Sequence, residues 1–180
     1  MKREVELKFF VNDFARIRKQ LKQFGAKLIW KGREEDWLFD TKDHQLQRRN
    51  VILRIRKSDT GYLTWKERPK KFVKSGVKVL HEYETVVCDP PVGVFILQRL
   101  GFGVWVHYFK YREHWKLPGA IVELDTLDKK FKFVEVEASR KNIKSLAKKL
   151  GLDFVKSTTN NYIQILEKIR GKKFYKYKPR

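Results

Sequence analysis

An α+β chain built on an eight-stranded antiparallel β-barrel, with helices packed on the outside, is the architecture this sequence predicts. Three observations lead there: eight segments alternate with period two, four others repeat apolar residues at helical spacing, and nearly every alternating segment carries a charged pair on one face. A length of 180 residues suits one domain with a sizeable core.

Strands are expected at residues 2–11, 27–40, 50–57, 61–68, 77–87, 103–115, 120–126 and 131–138. Short polar turns such as Ser58-Asp59-Thr60-Gly61 and Leu117-Pro118-Gly119 join several of them, and hairpins make an antiparallel sheet. The first helix is capped by Asn12 or Asp13 and sets Phe14, Ile17, Leu21 and Phe24 on one face. The second starts after Pro90 and Pro91 and carries Phe95, Ile96, Leu97 and Leu100. The third begins near Ser139 with Ile143, Leu146, Ala147 and Leu150, and the fourth holds Tyr162, Ile163, Ile165, Leu166 and Ile169. Each is followed by a glycine, at positions 25, 101, 151 and 171, which accepts the left-handed geometry of a helix stop. A weak strand–helix theme recurs from Glu4-Val5-Glu6, Glu82-Tyr83-Glu84 and Glu135-Val136-Glu137, and reads as one device reused within a single domain.

Composition narrows the class. Hydrophobic residues at 42% exclude a disordered polyelectrolyte, and the single cysteine, Cys88, excludes a disulfide scaffold and a thiolate zinc site. The start, MKREVELKFF, mixes charge into its apolar run, and no window reaches the roughly 20 apolar residues of a membrane span, so a soluble, cytoplasmic protein without a membrane partner is expected. Lys and Arg number 42 against 21 Asp and Glu, leaving a formal charge of +21 that calls for a partner rich in negative charge.

The faces of the strands say where chemistry sits. Glu4, Glu6 and Lys8 share one face of the first strand, with Val5, Leu7 and Phe9 opposite. The same pairing recurs in Arg54 with Arg56, Thr64 with Lys66, Glu82 with Glu84, Lys110 with Arg112, Glu123 with Asp125 and Glu135 with Glu137. A solvated face would explain one such pair, whereas seven in register predict a curled sheet whose charged faces meet in a polar lumen. Charges confined there are costly unless closely paired, so a ligand is expected to complete the site. Carboxylates spaced about 6.6 Å along a strand can gather hard cations such as Mg²⁺ or Mn²⁺, which bridge phosphate oxygens. Arginine forks and lysine point charges would hold the phosphates, giving a metal-bridged polyphosphate inside a tunnel.

Other nucleotide devices are missing from the sequence: it has no P-loop, and Gly101-Phe102-Gly103 follows a helix and lacks a third glycine. His81-Glu82 has no second histidine for a zinc site; of the four scattered histidines, His114, on the face of Arg112, is the best placed to be a ligand. Cys88 reads as an inert thiol, and Trp30, Trp65, Trp105 and Trp115 as packing residues.

Glu4-Val5-Glu6-Leu7-Lys8 resembles the E-x-E-x-K signature of the CYTH superfamily, the triphosphate tunnel metalloenzymes, which includes class IV adenylate cyclases and thiamine triphosphatases. The similarity continues, in the family's order, through Asp36-Trp37-Leu38-Phe39-Asp40, Leu53-Arg54-Ile55-Arg56, Leu63-Thr64-Trp65-Lys66, Glu82-Tyr83-Glu84, Lys110-Tyr111-Arg112, Glu123-Leu124-Asp125 and Phe133-Val134-Glu135-Val136-Glu137. The resemblance implies a metal-dependent enzyme of triphosphate substrates, closest in length and spacing to the class IV adenylate cyclase branch, turning ATP into cyclic AMP and pyrophosphate. Hydrolysis of inorganic triphosphate, thiamine triphosphate or a nucleoside triphosphate is the alternative. By matched position, Glu4, Glu6, Glu135 and Glu137 would bind Mg²⁺ or Mn²⁺, with Asp125 and Glu84 assisting directly or through water; Lys8, Arg54, Arg56, Lys66, Lys110 and Arg112 would bind the triphosphate, and Glu4, Glu6 and Lys8 would serve catalysis. Two departures stand out: Trp37 aligns with a family tyrosine, and Asp128-Lys129-Lys130 replaces a glycine before the last strand.

The tunnel domain is expected over residues 1–170, followed by a basic, flexible tail over 171–180. That tail and the loop Pro69-Lys70-Lys71-Phe72-Val73-Lys74 are basic and aromatic enough to bind nucleic acid, which leaves a non-catalytic nucleic-acid or polyphosphate binding protein as a further reading. Assembly as a homodimer is also left open.

Overall fold

Side chains that alternate along β1 (Lys2–Val11) have to separate a charged face from an apolar one, and closing the sheet turns those faces into an inside and an outside. The computed structural model describes residues 1–69 and 76–171, the side chains of 169 and 170 excepted. All of the basic tail but Gly171 and all of the basic loop but Pro69 therefore lie outside the described residues. After β1 come α1 (Ala15–Gln23), β2 (Lys27–Asp40), the short α2 (Gln45–Arg48), β3 (Ile52–Lys57), β4 (Gly61–Glu67), β5 (Lys78–Val87), α3 (Pro90–Arg99), β6 (Gly103–Leu117), β7 (Ala120–Leu127), β8 (Phe131–Ala138), α4 (Arg140–Lys149), a 3₁₀ turn (Phe154–Lys156), β9 (Ser157–Thr158) and α5 (Tyr162–Arg170).

The strands run β5-β4-β3-β2-β6-β7-β8-β1, every neighbour antiparallel, and β1 returns to β5 through pairs from Lys2↔Glu82 to Glu6↔Lys78. That is the expected closed eight-stranded barrel. Where β5 leaves β1, the two residues of β9 take its place beside Lys8 and Phe9, so the second half of β1 stays bonded on both sides. Such closure leaves few unpaired strand edges.

Outside, Leu7, Phe9, Val122, Leu124, Val134 and Val136 pack under α1 and α4, which contribute Ile17, Leu21, Ile143 and Ala147 to the same core. Four of those barrel residues, Phe9, Val122, Val134 and Val136, are fully buried; each such side chain is worth about 1.5–3 kcal/mol in transfer from water. On the opposite side Phe39, Leu53 and Ile55 pack with Val94 and Leu97 of α3. The prolines do not precede α3 but form its first turn, where their missing N–H groups cost nothing, and Asp89 caps it by accepting the Val92 N–H at 3.0 Å. For α1 the cap position is Phe14, and Asp13 accepts the Ala15 N–H instead. The helix α2 exists because the buried Asp40, at the end of β2, accepts N–H groups from Thr41, Leu46 and Gln47.

One helix takes a place other than the expected outer layer. Leu38, Ile52, Val106, Leu127 and Phe133 share the parity of the charged inward positions on their strands, and α5 packs Tyr162, Ile163, Ile165 and Leu166 onto them. An apolar layer therefore stoppers one end of the barrel. The glycine-free turn after β7 holds both Asp128 and Lys129 at positive φ, 53° and 62°, a geometry that glycine adopts with less strain. Among the described residues no helix is long and apolar enough to cross a membrane.

Candidate functional site in the barrel lumen

All eight strands send charge into one cavity of about 340 Å³. Of the residues singled out from the sequence, Glu4, Glu6, Lys8, Arg54, Arg56, Lys66, Glu84, Lys110, Arg112, Glu135 and Glu137 line it, while Asp125 lies just behind the wall, fully buried. Buried ions need close partners, and here acids and bases supply each other. Lys66 Nζ stands 2.9 Å from Glu4 and 2.9 Å from Glu82. Lys8 joins Glu6 at 2.6 Å to Glu135 at 3.1 Å, and Lys78 reaches Glu6 at 2.7 Å. Arg56 forks onto both oxygens of Asp36, at 2.7 and 2.9 Å, and also meets Glu34. Arg112 binds Asp125 and Glu123, and Lys110 sits between Glu34 and Asp125. The expectation that only a ligand could complete the lumen is thus corrected: interleaved signs on neighbouring strands do most of it.

Two oxygen groups emerge. Carboxylate oxygens of Glu4, Glu6 and Glu135 lie within 4.8 Å of one another, as do those of Glu123, Asp125 and Glu135. In the first group burial, and then the adjacent Glu6 carboxylate, push Glu135 up to about 8. Burial works against Glu6 ionising as well, but Lys78 and Lys8 outweigh it and hold Glu6 well below the usual carboxylate range. Lys8 in turn resists the burial that would neutralise it, because Glu135 and Glu6 face it. Lys110 goes the other way: burial and the neighbouring Arg112 depress it. In the second group Asp125 is already taken up by Arg112, Lys110 and the phenol of Tyr162.

Two assigned carboxylates stand apart from both groups. Glu137 meets Lys2 at 2.6 Å at the rim, and the Glu84 side chain, 38% exposed, accepts a hydrogen bond from Thr64. His114 Nδ1 donates to the Glu123 carboxylate at 3.1 Å. Trp37 points out of the barrel and stacks on His107, so the departure at that position leaves the lumen untouched; of the four expected packing tryptophans, Trp30 instead lines the cavity.

Several lumen residues escaped the reading of the sequence. Glu34 and Asp36 carry the same i, i+2 signal on β2 as the pairs that were recognised, and Lys78 lies at the start of β5. Tyr162 had no strand signal at all. It arrives from α5, donates its phenol proton to Asp125, sets the phenol oxygen 3.2 Å from Glu135, and puts its ring 5.1 Å from Lys8 Nζ and 4.8 Å from Lys110 Nζ. Burial, then Asp125, keep its phenol protonated.

Comparison with known proteins agrees with this fold. Residues 2–169 match the family described as CYTH domain. A protein of Methanocaldococcus jannaschii named as a candidate adenylate cyclase is 29% identical over 140 residues, 78% of this chain and 79% of that one. The structure of a Pyrococcus horikoshii OT3 protein superposes with a TM-score of 0.75 at 28% identity, covering 89% of this chain and 98% of its own. A Hippeastrum protein, a candidate adenylyl cyclase described as having a dominant triphosphatase activity, shares the fold at a TM-score of 0.65 and 17% identity, over 94% of this chain and 96% of its own.

Proposed function

Because the chain belongs to the CYTH domain family, we propose that its lumen binds the triphosphate of a small molecule together with divalent cations and that it converts ATP to cyclic AMP and pyrophosphate. The observation that supports this reading is the meeting, in one cavity, of Lys8, Arg54, Arg56, Lys66, Lys110 and Arg112 with the carboxylates of Glu4, Glu6 and Glu135. An all-oxygen donor set suits hard divalent cations, so those three carboxylates fit Mg²⁺ or Mn²⁺. Glu84 and Glu137 serve at the rim, and Asp125 holds Arg112 and Lys110 in place rather than meeting metal.

When bound, the cation would neutralise phosphate oxygens and ease attack at phosphorus. The protein's own residues do the rest. The arginine forks and lysine ammoniums trade their carboxylate partners for phosphate oxygens, and the carboxylates behind them keep them aimed inward. In cyclisation the ribose 3′ oxygen bonds to the α-phosphorus, the bridge to the β-phosphate breaks, pyrophosphate leaves, and an ionised lumen carboxylate accepts the hydroxyl proton. Lys8, kept charged between Glu6 and Glu135, supplies positive charge where it builds on oxygen.

Hydrolysis is the second reading, favoured by the triphosphatase activity described for the Hippeastrum relative. Purified protein given ATP, inorganic triphosphate or thiamine triphosphate, each with Mg²⁺, Mn²⁺ or chelator, separates them. Cyclic AMP with pyrophosphate is the expected product; orthophosphate would transfer the conclusion to the hydrolase, and no metal-dependent product would overturn both. Glu4→Gln is expected to lower turnover by at least about two orders of magnitude.

A further inference from the structure

The helices α1 and α4 lie side by side over the barrel. Gln20 Nε2 donates to the Lys149 carbonyl, and the Arg16 guanidinium lies against Gly151, where a Cβ would meet it at 2.8 Å. Neither helix contains an acidic residue. Their exposed positions include Arg16, Lys19 and Lys22 on one, beside Ala15 and Gln23, and Arg140, Lys141, Lys144, Lys148 and Lys149 on the other, beside Asn142 and Ser145. Lys141, Lys144 and Lys148 recur at i, i+3 and i+7, a row about 10 Å long on one side of α4. Arg18 forks onto Glu113, and among the described residues it is the one arginine of the pair with a carboxylate partner. The nearest carboxylates in sequence are engaged elsewhere: Asp13 and Asp153 with the backbone N–H groups of Ala15 and Val155, and Glu137 with Lys2. Like charges at this spacing weaken a helix, so the row works against the fold of α4.

We infer that this two-helix face binds the phosphate backbone of double-stranded nucleic acid without reading its sequence. Charge complementarity selects a polyanion, and the face's other chemistry selects which one. A helix that lies on a membrane buries an apolar side in lipid, but Ile17, Leu21, Ile143 and Ala147 are already buried against the barrel. Single strands stack on successive aromatic platforms, whereas the two helices themselves carry no aromatic residue and the exposed rings of Phe24, at the end of α1, and Phe154, beside Lys144 and Lys148, only flank the face. What points outward is a set of long, mobile cations, the groups that position a duplex by its phosphates. The surface is separate from the lumen, so it stands whether or not the tunnel turns over a triphosphate.

The test is fluorescence anisotropy of short labelled RNA and DNA duplexes against the full chain over a series of salt concentrations. The double variant Lys144→Glu/Lys148→Glu is compared with Lys42→Glu/Lys57→Glu, which changes net charge equally at exposed positions on the other side of the barrel. The α4 pair is expected to weaken binding at low salt at least about tenfold and to lower the log–log salt slope by about 2, while the other pair leaves the slope unchanged. Lys144→Gln/Lys148→Gln should lose the same contacts with a smaller loss of affinity. Equal weakening by both Glu pairs would reduce the effect to net charge and overturn the assignment. Capture of the protein by phosphatidylserine vesicles with no binding to duplex would overturn it in favour of a membrane.

Discussion

Arg56 shows how a lumen residue serves two masters. Its guanidinium is a candidate for phosphate, yet without ligand it is what compensates the fully buried Asp36 and its neighbour Glu34. Arg56→Ala should therefore lower stability as well as substrate affinity, by about 3 kcal/mol in urea unfolding of the ligand-free protein, because removing one partner strands a buried charge. Asp36 carries a linked pH dependence. Burial would raise its pKa, but Arg56 and Arg54 pull it well below the ordinary 3.8. A depressed carboxylate stabilises the fold fully above its unfolded value, and that contribution drains away as pH falls below about 3.8 toward the folded value. Acid titration followed by near-ultraviolet circular dichroism should show this loss, with a flatter acid limb in Asp36→Asn. At this scale the sequence disclosed most of the lumen, since i, i+2 charge on a strand needs only alternation. Tyr162 stayed hidden because an aromatic residue on an amphipathic helix looks the same whether it packs a core or reaches a carboxylate.

Elements long enough to show a period were legible; those held by single hydrogen bonds were not. The four-residue α2 owes its place to Asp40, and the two residues of β9 to pairing with Lys8 and Phe9, none of which periodicity can register. The position of α5 was hidden for a similar reason: its apolar stripe is plain, but not that it faces the barrel's mouth. A usable sign lay just before it. Asn161 and Gln164 form a reciprocal capping box, each side chain accepting the other's backbone N–H. Asn161→Ala should fray the start of α5, costing about 1 kcal/mol. Hydrogen exchange should then rise at the first turn of α5 while the strands keep their protection.

For the molecule as a whole, closure and charge were both foreseeable, because strands with one charged and one apolar face can satisfy both only by curling. What could not be read was how completely the lumen answers its own charges, since that depends on register between strands distant in sequence. Divalent cations should bind the folded chain alone, as the Glu4–Glu6–Glu135 group exists only there. Adding Mn²⁺ at a hundredfold excess over its dissociation constant is expected to stabilise the fold by about 2.7 kcal/mol, read as a chelator-reversible rise in unfolding temperature. Glu6→Gln should remove that rise.

The double role of β1 sets the timing of the site's appearance. Its inward face carries Glu4, Glu6 and Lys8, and its backbone is the seam that joins β8 to β5. Both partners come from much later in the chain, so two long loops must close before the seam does, and their entropy is repaid only at that step. A chain that has formed its hairpins but not this seam has all the residues of the site and no lumen for them to face. Ligand competence therefore depends on that seam, since the lumen is complete only where β1 joins β8 to β5.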